Sequence, residues 1–255
     1  MEDSSKKSKI IDSAPGFLKD ILPYISPRVF DLIDIPTVAL NMGKISYQYM
    51  FSKGIERGKS SLEKFLPSVV SFSSIDGDSL SNKEKGEAIL ELYFLQVLVG
   101  KTIFLDLRPG RFKEETGGLI WSPNGLHCDF KNDFQTGLVN LYSGFYQNDQ
   151  DSYEKGLAQI GLISESDTQE ERAEMMRIFN DHFGDGDQEA VKFEMKHFVD
   201  SFHQIFDRIF HQHKKLSEDF VYLGIYLVTL YLNLEKNGEA LNVRAAFNRA
   251  YQKIK

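Results

Sequence analysis

The feature that most constrains the fold is a long apolar run from Phe220 to Leu234. The run is about 15 residues long and contains Asn233, whereas a helix that spans a bilayer needs roughly 20 apolar residues. We therefore predict a buried helix here and not a membrane span. A chain of 255 residues with 42% hydrophobic residues is long and apolar enough to form the core that such a helix requires.

Charge and cysteine usage exclude several classes of protein. The formal net charge is -7 and the basic residues are scattered along the chain, which argues against nucleic acid as a partner. The single cysteine, Cys128, excludes a disulfide framework and a multi-cysteine zinc cluster, and it fits a reducing compartment. Residues 1–9 are charged and serine-rich, so we expect neither a secretory signal nor a membrane anchor, and a cytoplasmic location.

Local signals in the middle of the chain predict a strand, a turn and a helix in that order. Residues 69–73 read Val-Val-Ser-Phe-Ser, which is typical of a short strand, and residues 75–78 supply turn residues. Ser81 with Glu84 three residues later forms the signature of a capped helix start. The apolar spacing that follows predicts a helix that continues to about Val99.

A hairpin is predicted next. The segments 119–121 and 126–128 are apolar, and the tetrapeptide Ser122-Pro123-Asn124-Gly125 between them has the composition of a tight turn. The second segment runs directly into Asp129-Phe130-Lys131.

The two ends of the chain differ in how clearly they can be interpreted. Four prolines between Ala14 and Pro36 predict an irregular arm of turns and short helices. From Val38 to Lys59, periodicity does not distinguish helix from strand. Beyond Asn132 the patterns predict helices at residues 136–148, 150–160, 168–183, 189–213, 217–237 and 243–253.

The order of these parts carries the functional prediction. A helix, a loop with Asp106, a hairpin, Asp129 and then helices follow one another, as in the catalytic lobe of protein-kinase-like folds. There, one aspartate orients the acceptor hydroxyl and a second holds magnesium. Residues 104–111 read Phe-Leu-Asp-Leu-Arg-Pro-Gly-Arg, and Asp-Phe-Lys stands at residues 129–131. These segments resemble the His-x-Asp-x-His-Pro-Gly-Asn and Asp-Phe-Gly loops of the UbiB/AarF family of atypical protein-kinase-like proteins.

The resemblance covers Phe65 to Tyr251. Residues 72–77 look like the family's hinge strand, and residues 148–163 look like a helix pair with a small-residue break. The resemblance implies a mostly α (α+β) fold, with a reduced N-terminal region over residues 1–64. A kinase-like helical C-terminal lobe with a short β-hairpin would then occupy residues 65–255.

Departures from the family motifs indicate an eroded site. Arg111 stands where the family has the asparagine that binds the second magnesium ion, and Lys131 replaces the glycine after Asp129 and Phe130. At about 4 Å and an effective dielectric near 20, each pair of like unit charges costs roughly 4 kcal/mol. Phe104 and Arg108 also replace the two motif histidines. We therefore expect no normal magnesium binding.

Two roles remain open for the new cations. Arg111 and Lys131 either form internal ion pairs with Asp106 and Asp129, which we favour, or replace magnesium and hold nucleotide phosphates directly. Three lysines are candidates for a further phosphate contact, although none lies in a strand of the kinase type: Lys44, Lys53 and Lys59.

The resemblance and its departures together imply a pseudokinase that acts as a binding or regulatory module for an unidentified protein or small molecule. In this interpretation ATP or ADP binds weakly through Asp129, Arg111 and Lys131. One alternative is residual phosphotransfer or ATP hydrolysis, with Asp106 as the catalytic residue and Asp129 as the metal ligand. A second alternative is a helical interaction scaffold without a ligand.

Three further patterns have structural explanations. Apolar residues recur at helical spacing between Phe198 and Phe210, which predicts a buried helix face; only the family resemblance implies a lipid or isoprenoid ligand there. The four histidines between His197 and His213 lack the i, i+4 spacing of a helical metal site. The segment 185–189 is better explained as a turn and helix cap than as a calcium loop.

Overall fold

A computed structural model describes residues 16–51, 53–62, 71–73, 80–115, 118–183 and 190–255. The protein is mostly helical with a few short antiparallel strand pairs, which confirms the predicted mostly α (α+β) class. Several predicted features lie outside the described residues: the charged segment 1–9, the first two residues of the strand predicted at 69–73, the turn at 75–78, the segment 185–189 and the boundary between residues 64 and 65.

The helices of the described residues are numbered here in chain order. They are α1 (Gly16–Lys19), α2 (Val29–Leu32), α3 (Ile35–Phe51), α4 (Ile55–Leu62), α5 (Asn82–Val99), α6 (Asn132–Gln147), α7 (Gln150–Gln159), α8 (Gln169–Phe183), α9 (Met195–His211), α10 (Asp219–Asn237) and α11 (Val243–Ile254).

Within the described residues, the strands form three small sheets. They are β1 (Ser71–Ser73), β2 (Ile103–Phe104), β3 (Phe112–Glu115), β4 (Gly118–Trp121), β5 (His127–Cys128), β6 (Val191–Lys192) and β7 (Ala240–Leu241). The first sheet has the order β1-β4-β3, and the other two are the pairs β2-β5 and β6-β7. All of the strand pairs are antiparallel.

The start of α5 follows the sequence signal. The Ser81 hydroxyl accepts a hydrogen bond from the Glu84 backbone N–H, and the Glu84 carboxylate accepts one from the Ser81 N–H at 2.7 Å. This capping box satisfies two backbone donors that would otherwise lack partners. Residues 88–97 are all buried, so α5 is covered on every side and not only on the predicted face.

Helix α10 lies at the centre of the core. Residues 219–231 are all buried, which confirms the prediction of a buried helix for the apolar run. The ring of Tyr226 stacks on that of Tyr93 in α5 with centroids 4.8 Å apart, and the Tyr226 hydroxyl accepts a hydrogen bond from Gln96 at 2.8 Å. In the described part of the chain, no helix is long and apolar enough to cross a membrane.

Helices α6 and α7 pack with their backbones in close contact at glycines. A Cβ atom at Gly144 of α6 would lie 2.2 Å from the Tyr153 nitrogen, and one at Gly156 of α7 would lie 2.3 Å from the Leu141 nitrogen. Both distances are shorter than any real contact, so only glycine allows this approach. The left-handed residue Asn148 (φ 57°) connects the two helices.

The predicted hairpin between segments 119–121 and 126–128 is wrong. Strand β4 pairs with β1 and with β3, whereas β5 pairs with β2 in a different sheet. The indole of Trp121 in β4 packs edge-on against Phe104 in β2 with centroids 5.4 Å apart, so the two sheets meet through side chains. Short strands of this kind are selected by their tertiary partners and not by the turn residues between them.

Two other regions differ from what the sequence predicted or left undecided. The segment from Val38 to Lys59, for which the sequence favoured neither helix nor strand, is helical at residues 38–51 and 55–59; Gly54, in the turn before α4, has a positive φ of 79°. The predicted helix over 189–213 instead contains β6, and α9 begins only at Met195. Strand β6 forms because Val191 pairs with Leu241, a partner that is distant in sequence.

The glycine contact between α6 and α7 yields a stability prediction. Gly144→Ala should lower the free energy of unfolding by about 1–3 kcal/mol, because the added methyl group forces the two backbones apart. Gly224→Ala in α10 is the matched control, since its Cβ would meet only Ile25 at 3.8 Å and alanine favours the helix. Urea unfolding of both variants measures the difference, and equal effects would contradict the proposed contact.

Candidate functional site

The two aspartates that the sequence singles out follow the paired strands β2 and β5. The register joins Ile103 to Cys128 and Phe104 to His127, in antiparallel orientation. Antiparallel strands end at opposite edges, so Asp106 leaves the pair at one end and Asp129 at the other. At about 3.3 Å per residue, this register separates the two positions by about 13 Å along the strands.

Hydrogen bonds fix each aspartate at its own end. The Asp106 carboxylate accepts a bond from the Asn124 side-chain amide at 2.7 Å, and the Asp129 carboxylate accepts one from the Thr102 hydroxyl at 2.6 Å. Asn124 precedes β5 and Thr102 precedes β2, as the register requires. The two carboxylates therefore do not converge on one metal ion or one phosphate.

Asp106 is the most enclosed carboxylate of this region, with 1% of its side chain exposed. Arg108 binds it in a two-pronged manner, with Nε 2.8 Å from Oδ1 and Nη2 2.9 Å from Oδ2. The Arg108 backbone N–H donates a third bond at 3.2 Å, and the Asn124 amide donates a fourth. Every carboxylate oxygen is thus engaged by donors from the protein.

The electrostatics of Asp106 follow from this enclosure. Burial alone would raise the pKa of the carboxyl group, but the hydrogen bonds and the charge of Arg108, together with the bond from Asn124, outweigh it. The pKa of Asp106 therefore lies below its ordinary value, and Asp106 raises the pKa of Arg108 in turn. The group is a stable anion and a poor proton acceptor.

Helix α10 holds the loop that carries Asp106. The Thr229 hydroxyl accepts a bond from the Leu107 N–H at 3.1 Å and donates one to the Leu105 carbonyl at 2.6 Å. The Asn233 amide donates to the Leu107 carbonyl oxygen at 2.6 Å. All of these atoms are buried, so the backbone on both sides of Asp106 is tied to the centre of the core.

Arg111 and Lys131 occupy different ends of the strand pair. Arg111 Nε lies 3.9 Å from the Asp106 carboxylate, a distant ion pair beside the closer one from Arg108. We expected Lys131 to pair with Asp129, but its ammonium donates a hydrogen bond to Glu218 at 2.9 Å instead. This hydrogen bond raises the pKa of Lys131. The residues predicted to bind a nucleotide, Asp129, Arg111 and Lys131, are therefore not brought together around one ligand.

Asp129 faces solvent, with 57% of its side chain exposed. The Asp129 carboxylate accepts a hydrogen bond from Thr102 and also lies 3.6 Å from the guanidinium of Arg57 in α4. The Arg57 side chain is itself 72% exposed. Such an exposed pair contributes little to stability. Within the described residues, no group of three or more histidine, cysteine, aspartate or glutamate side chains is arranged to hold a metal ion.

Helices α3 and α4 cover the strand pair. A Cβ atom at Gly125 would lie 2.3 Å from the Gln48 carbonyl oxygen of α3, and one at Gly58 of α4 would lie 2.6 Å from the Phe104 ring. In the turn between these helices, the Lys53 carbonyl accepts a hydrogen bond from His127 Nε2 at 2.8 Å. The N-terminal helices therefore lie directly on β2 and β5.

The candidate phosphate-binding lysines lie on this helical cover and not in a strand. Lys44 donates to Asn41 at 3.4 Å within α3, and Lys59 lies 3.7 Å from Glu56 within α4. Lys53 is in the turn between the two helices. None of the three is described in contact with Asp106, Arg111 or Asp129.

The apolar stripe on α9 is confirmed as core, with one exception. Phe198, Phe202 and their neighbours are buried, whereas Phe210 is 36% exposed beneath the Arg28 guanidinium. A cavity beside this stripe, lined by Ile205 and Phe206 among others, has a volume of about 20 Å³. That volume is of the order of one water molecule and leaves no room for an isoprenoid chain.

Comparison with known proteins gives no assignment: neither the scan against protein-family models nor the search of curated proteins finds a match. The resemblance to the UbiB/AarF family therefore remains a prediction from the sequence motifs.

Sequence reasoning missed two residues of the Asp106 cluster. Arg108 was interpreted as a replaced motif histidine and Asn124 as a turn residue, yet these two side chains provide the closest contacts to Asp106. The spacing of Asp106 and Arg108 was a usable signal, because a side chain two residues away in an extended segment lies within reach. No local pattern indicates Asn124, which is 18 residues from its partner.

The ion pair predicts a large effect for one arginine and a small one for its neighbour. Arg108→Ala should lower the free energy of unfolding by about 3–5 kcal/mol, because it leaves the buried Asp106 carboxylate without its main partner. Arg111→Ala is the control and should cost less than about 1 kcal/mol, since its contact is long and partly exposed. Urea unfolding at pH 7 distinguishes the two, and similar losses would contradict the assignment.

The lowered pKa of Asp106 predicts a dependence of stability on pH. A carboxyl group whose pKa is lower in the folded state stabilises the protein fully above its ordinary pKa of about 3.9, and this contribution disappears as the pH falls through the folded value. The difference in unfolding free energy between the wild type and Asp106→Asn should therefore be largest above about pH 5 and shrink below about pH 4.

Urea titrations of the two proteins between neutral and acidic pH measure this difference. Asp129→Asn provides the control at pH 7, because this carboxylate is 57% exposed and its pair with Arg57 contributes little to stability. A difference between wild type and Asp106→Asn that stays constant with pH would contradict the prediction.

Proposed function

We propose that this protein is a non-catalytic binding or regulatory module, a degenerate pseudokinase of UbiB/AarF type. The observation that carries the proposal is the state of Asp106, which is buried and fully engaged by Arg108 and Asn124. A catalytic aspartate in phosphoryl transfer must contact the acceptor hydroxyl. Here the same side chain stabilises a loop of the core.

The arrangement of the second aspartate supports the same conclusion. Phosphoryl transfer of the kinase type needs the acceptor-orienting and metal-binding carboxylates around one reacting phosphate. The register of β2 and β5 holds Asp106 and Asp129 apart, and Thr102 and Asn124 fix them there. We therefore consider residual phosphotransfer or ATP hydrolysis the weaker alternative.

A magnesium nucleotide is also disfavoured as a ligand. Lys131 is engaged by Glu218, and Arg111 lies with Asp106 and Arg108 at the other end of the strand pair. A nucleotide that used all of the residues predicted from sequence would have to bridge both ends beneath α3 and α4. We propose instead that the module acts through protein contacts.

A nucleotide titration tests this proposal. We expect no rise in the thermal unfolding midpoint with millimolar ATP or ADP, with or without magnesium, because a ligand that binds only the native state must raise the midpoint. Differential scanning fluorimetry and calorimetry measure the midpoint, and a coupled assay measures ATP hydrolysis, which should stay at the background rate.

The controls assign any positive result to the site. A magnesium-dependent rise together with turnover that Asp106→Asn abolishes would overturn the proposal in favour of the enzyme. A rise without magnesium that is lost in Arg111→Ala or Lys131→Ala would show a nucleotide-binding pseudokinase, and the claim of contacts with protein alone would be wrong. Lys155→Ala, on an exposed face of α7, should leave any shift unchanged.

A further inference from the structure

Helix α3 exposes an apolar stripe along its whole length. Residues at positions 35, 36, 39, 40, 43, 44, 47, 50 and 51 are exposed, a spacing that follows the helical repeat, and Lys44 is the one charged residue among them. The large side chains are Ile35, Leu40, Tyr47, Met50 and Phe51, with exposures of 41, 63, 54, 69 and 56%. The outer face of a surface helix is normally polar, so this stripe indicates an interaction site.

Gly43 stands at the midpoint of both the helix and the stripe. A glycine in an exposed helix interior destabilises the helix relative to alanine. The contacts of the described chain do not require this glycine, because a Cβ atom at Gly43 would meet nothing within 4 Å. Beside it, Ala39, Leu40 and Tyr47 line an open groove of about 700 Å³, which can receive side chains from a facing helix.

We propose that a second copy of this chain covers the stripe, with the two α3 helices antiparallel and crossing at Gly43. In that arrangement a residue a given number of positions before Gly43 faces the residue the same number of positions after it. Ile35 then faces the partner's Phe51, and Ala39 faces the partner's Tyr47. Each pair joins exposed apolar groups, so the surface is complementary to itself, as a two-fold interface requires.

The ends of the helix are also complementary in charge. Asp34 immediately precedes α3 and Lys53 follows it by two residues. Antiparallel crossing at Gly43 brings Asp34 of one copy past the partner's Phe51 and towards the partner's Lys53. It also aligns the positive end of each helix dipole with the negative end of the other.

Lys44 is compatible with this interface because it lies at the edge of the stripe. Its ammonium donates to Asn41 on the side of the helix, so its aliphatic stem can cover apolar surface while its charge stays in water. An anionic lipid surface fits the stripe less well, because acidic residues flank α3 at Asp31 and Asp34 and the whole chain carries a net charge of -7. This inference does not depend on the proposed function.

Sedimentation equilibrium of the full chain over a range of concentrations tests the proposal. The wild type should dimerise reversibly. The double variant Leu40→Glu, Tyr47→Glu should raise the dissociation constant on the order of 100-fold or more, since it places charges at two central contacts. Lys155→Glu with Ala158→Glu adds acids to the exposed face of α7 and should leave the dissociation constant unchanged. Thermal unfolding of each variant checks that the monomer remains folded.

A cysteine placed on the two-fold axis tests the geometry. Gly43→Cys should form a disulfide between two chains under mild oxidation, whereas Lys155→Cys on α7 should not, and the natural Cys128 is buried in both. A monomeric wild type at every concentration would overturn the proposal, as would equal cross-linking of the two cysteine variants. Flotation of a monomeric wild type with anionic vesicles would overturn it in favour of a lipid surface.

Discussion

The organisation of the strand pair depends on the burial of one carboxylate. Removing Asp106 from water is costly unless each of its oxygens finds a donor, and Arg108 and Asn124 supply those donors from two different segments of the chain. This requirement draws residues 122–126 back towards the loop after β2. It thereby fixes which strand β5 can join and in which register.

The same interactions link the small sheets to the helical core. Thr229 and Asn233 are polar residues within an otherwise apolar helix, and both use their side chains to hold the backbone next to Asp106. Helix α10 therefore positions the loop, while α3, α4 and the turn between them pack against the strand pair at Phe104, Gly125 and His127. A loop whose backbone is held on both sides of Asp106 in this way is fixed in one conformation.

Features that depend on neighbouring residues could be predicted from the sequence, and features that depend on distant partners could not. The start of α5 follows from Ser81 and Glu84, and the buried α10 follows from its length and composition. The hairpin was assigned wrongly because Asn124 and Gly125 have turn composition, yet Asn124 binds Asp106 and Gly125 accommodates the backbone of α3. Strand β6 was missed because two residues become a strand only beside β7.

The position of Trp121 has a practical consequence. It is the single tryptophan of the chain, it is 2% exposed, and it packs against Phe104 where β4 meets β2. The buried tyrosines of α5, α6 and α10 lie instead in the helical core. Tryptophan emission therefore reports on the strand region alone, and far-ultraviolet circular dichroism reports on the helices. The protein thus contains two independent optical signals that reveal whether its strand region and its helical core unfold together.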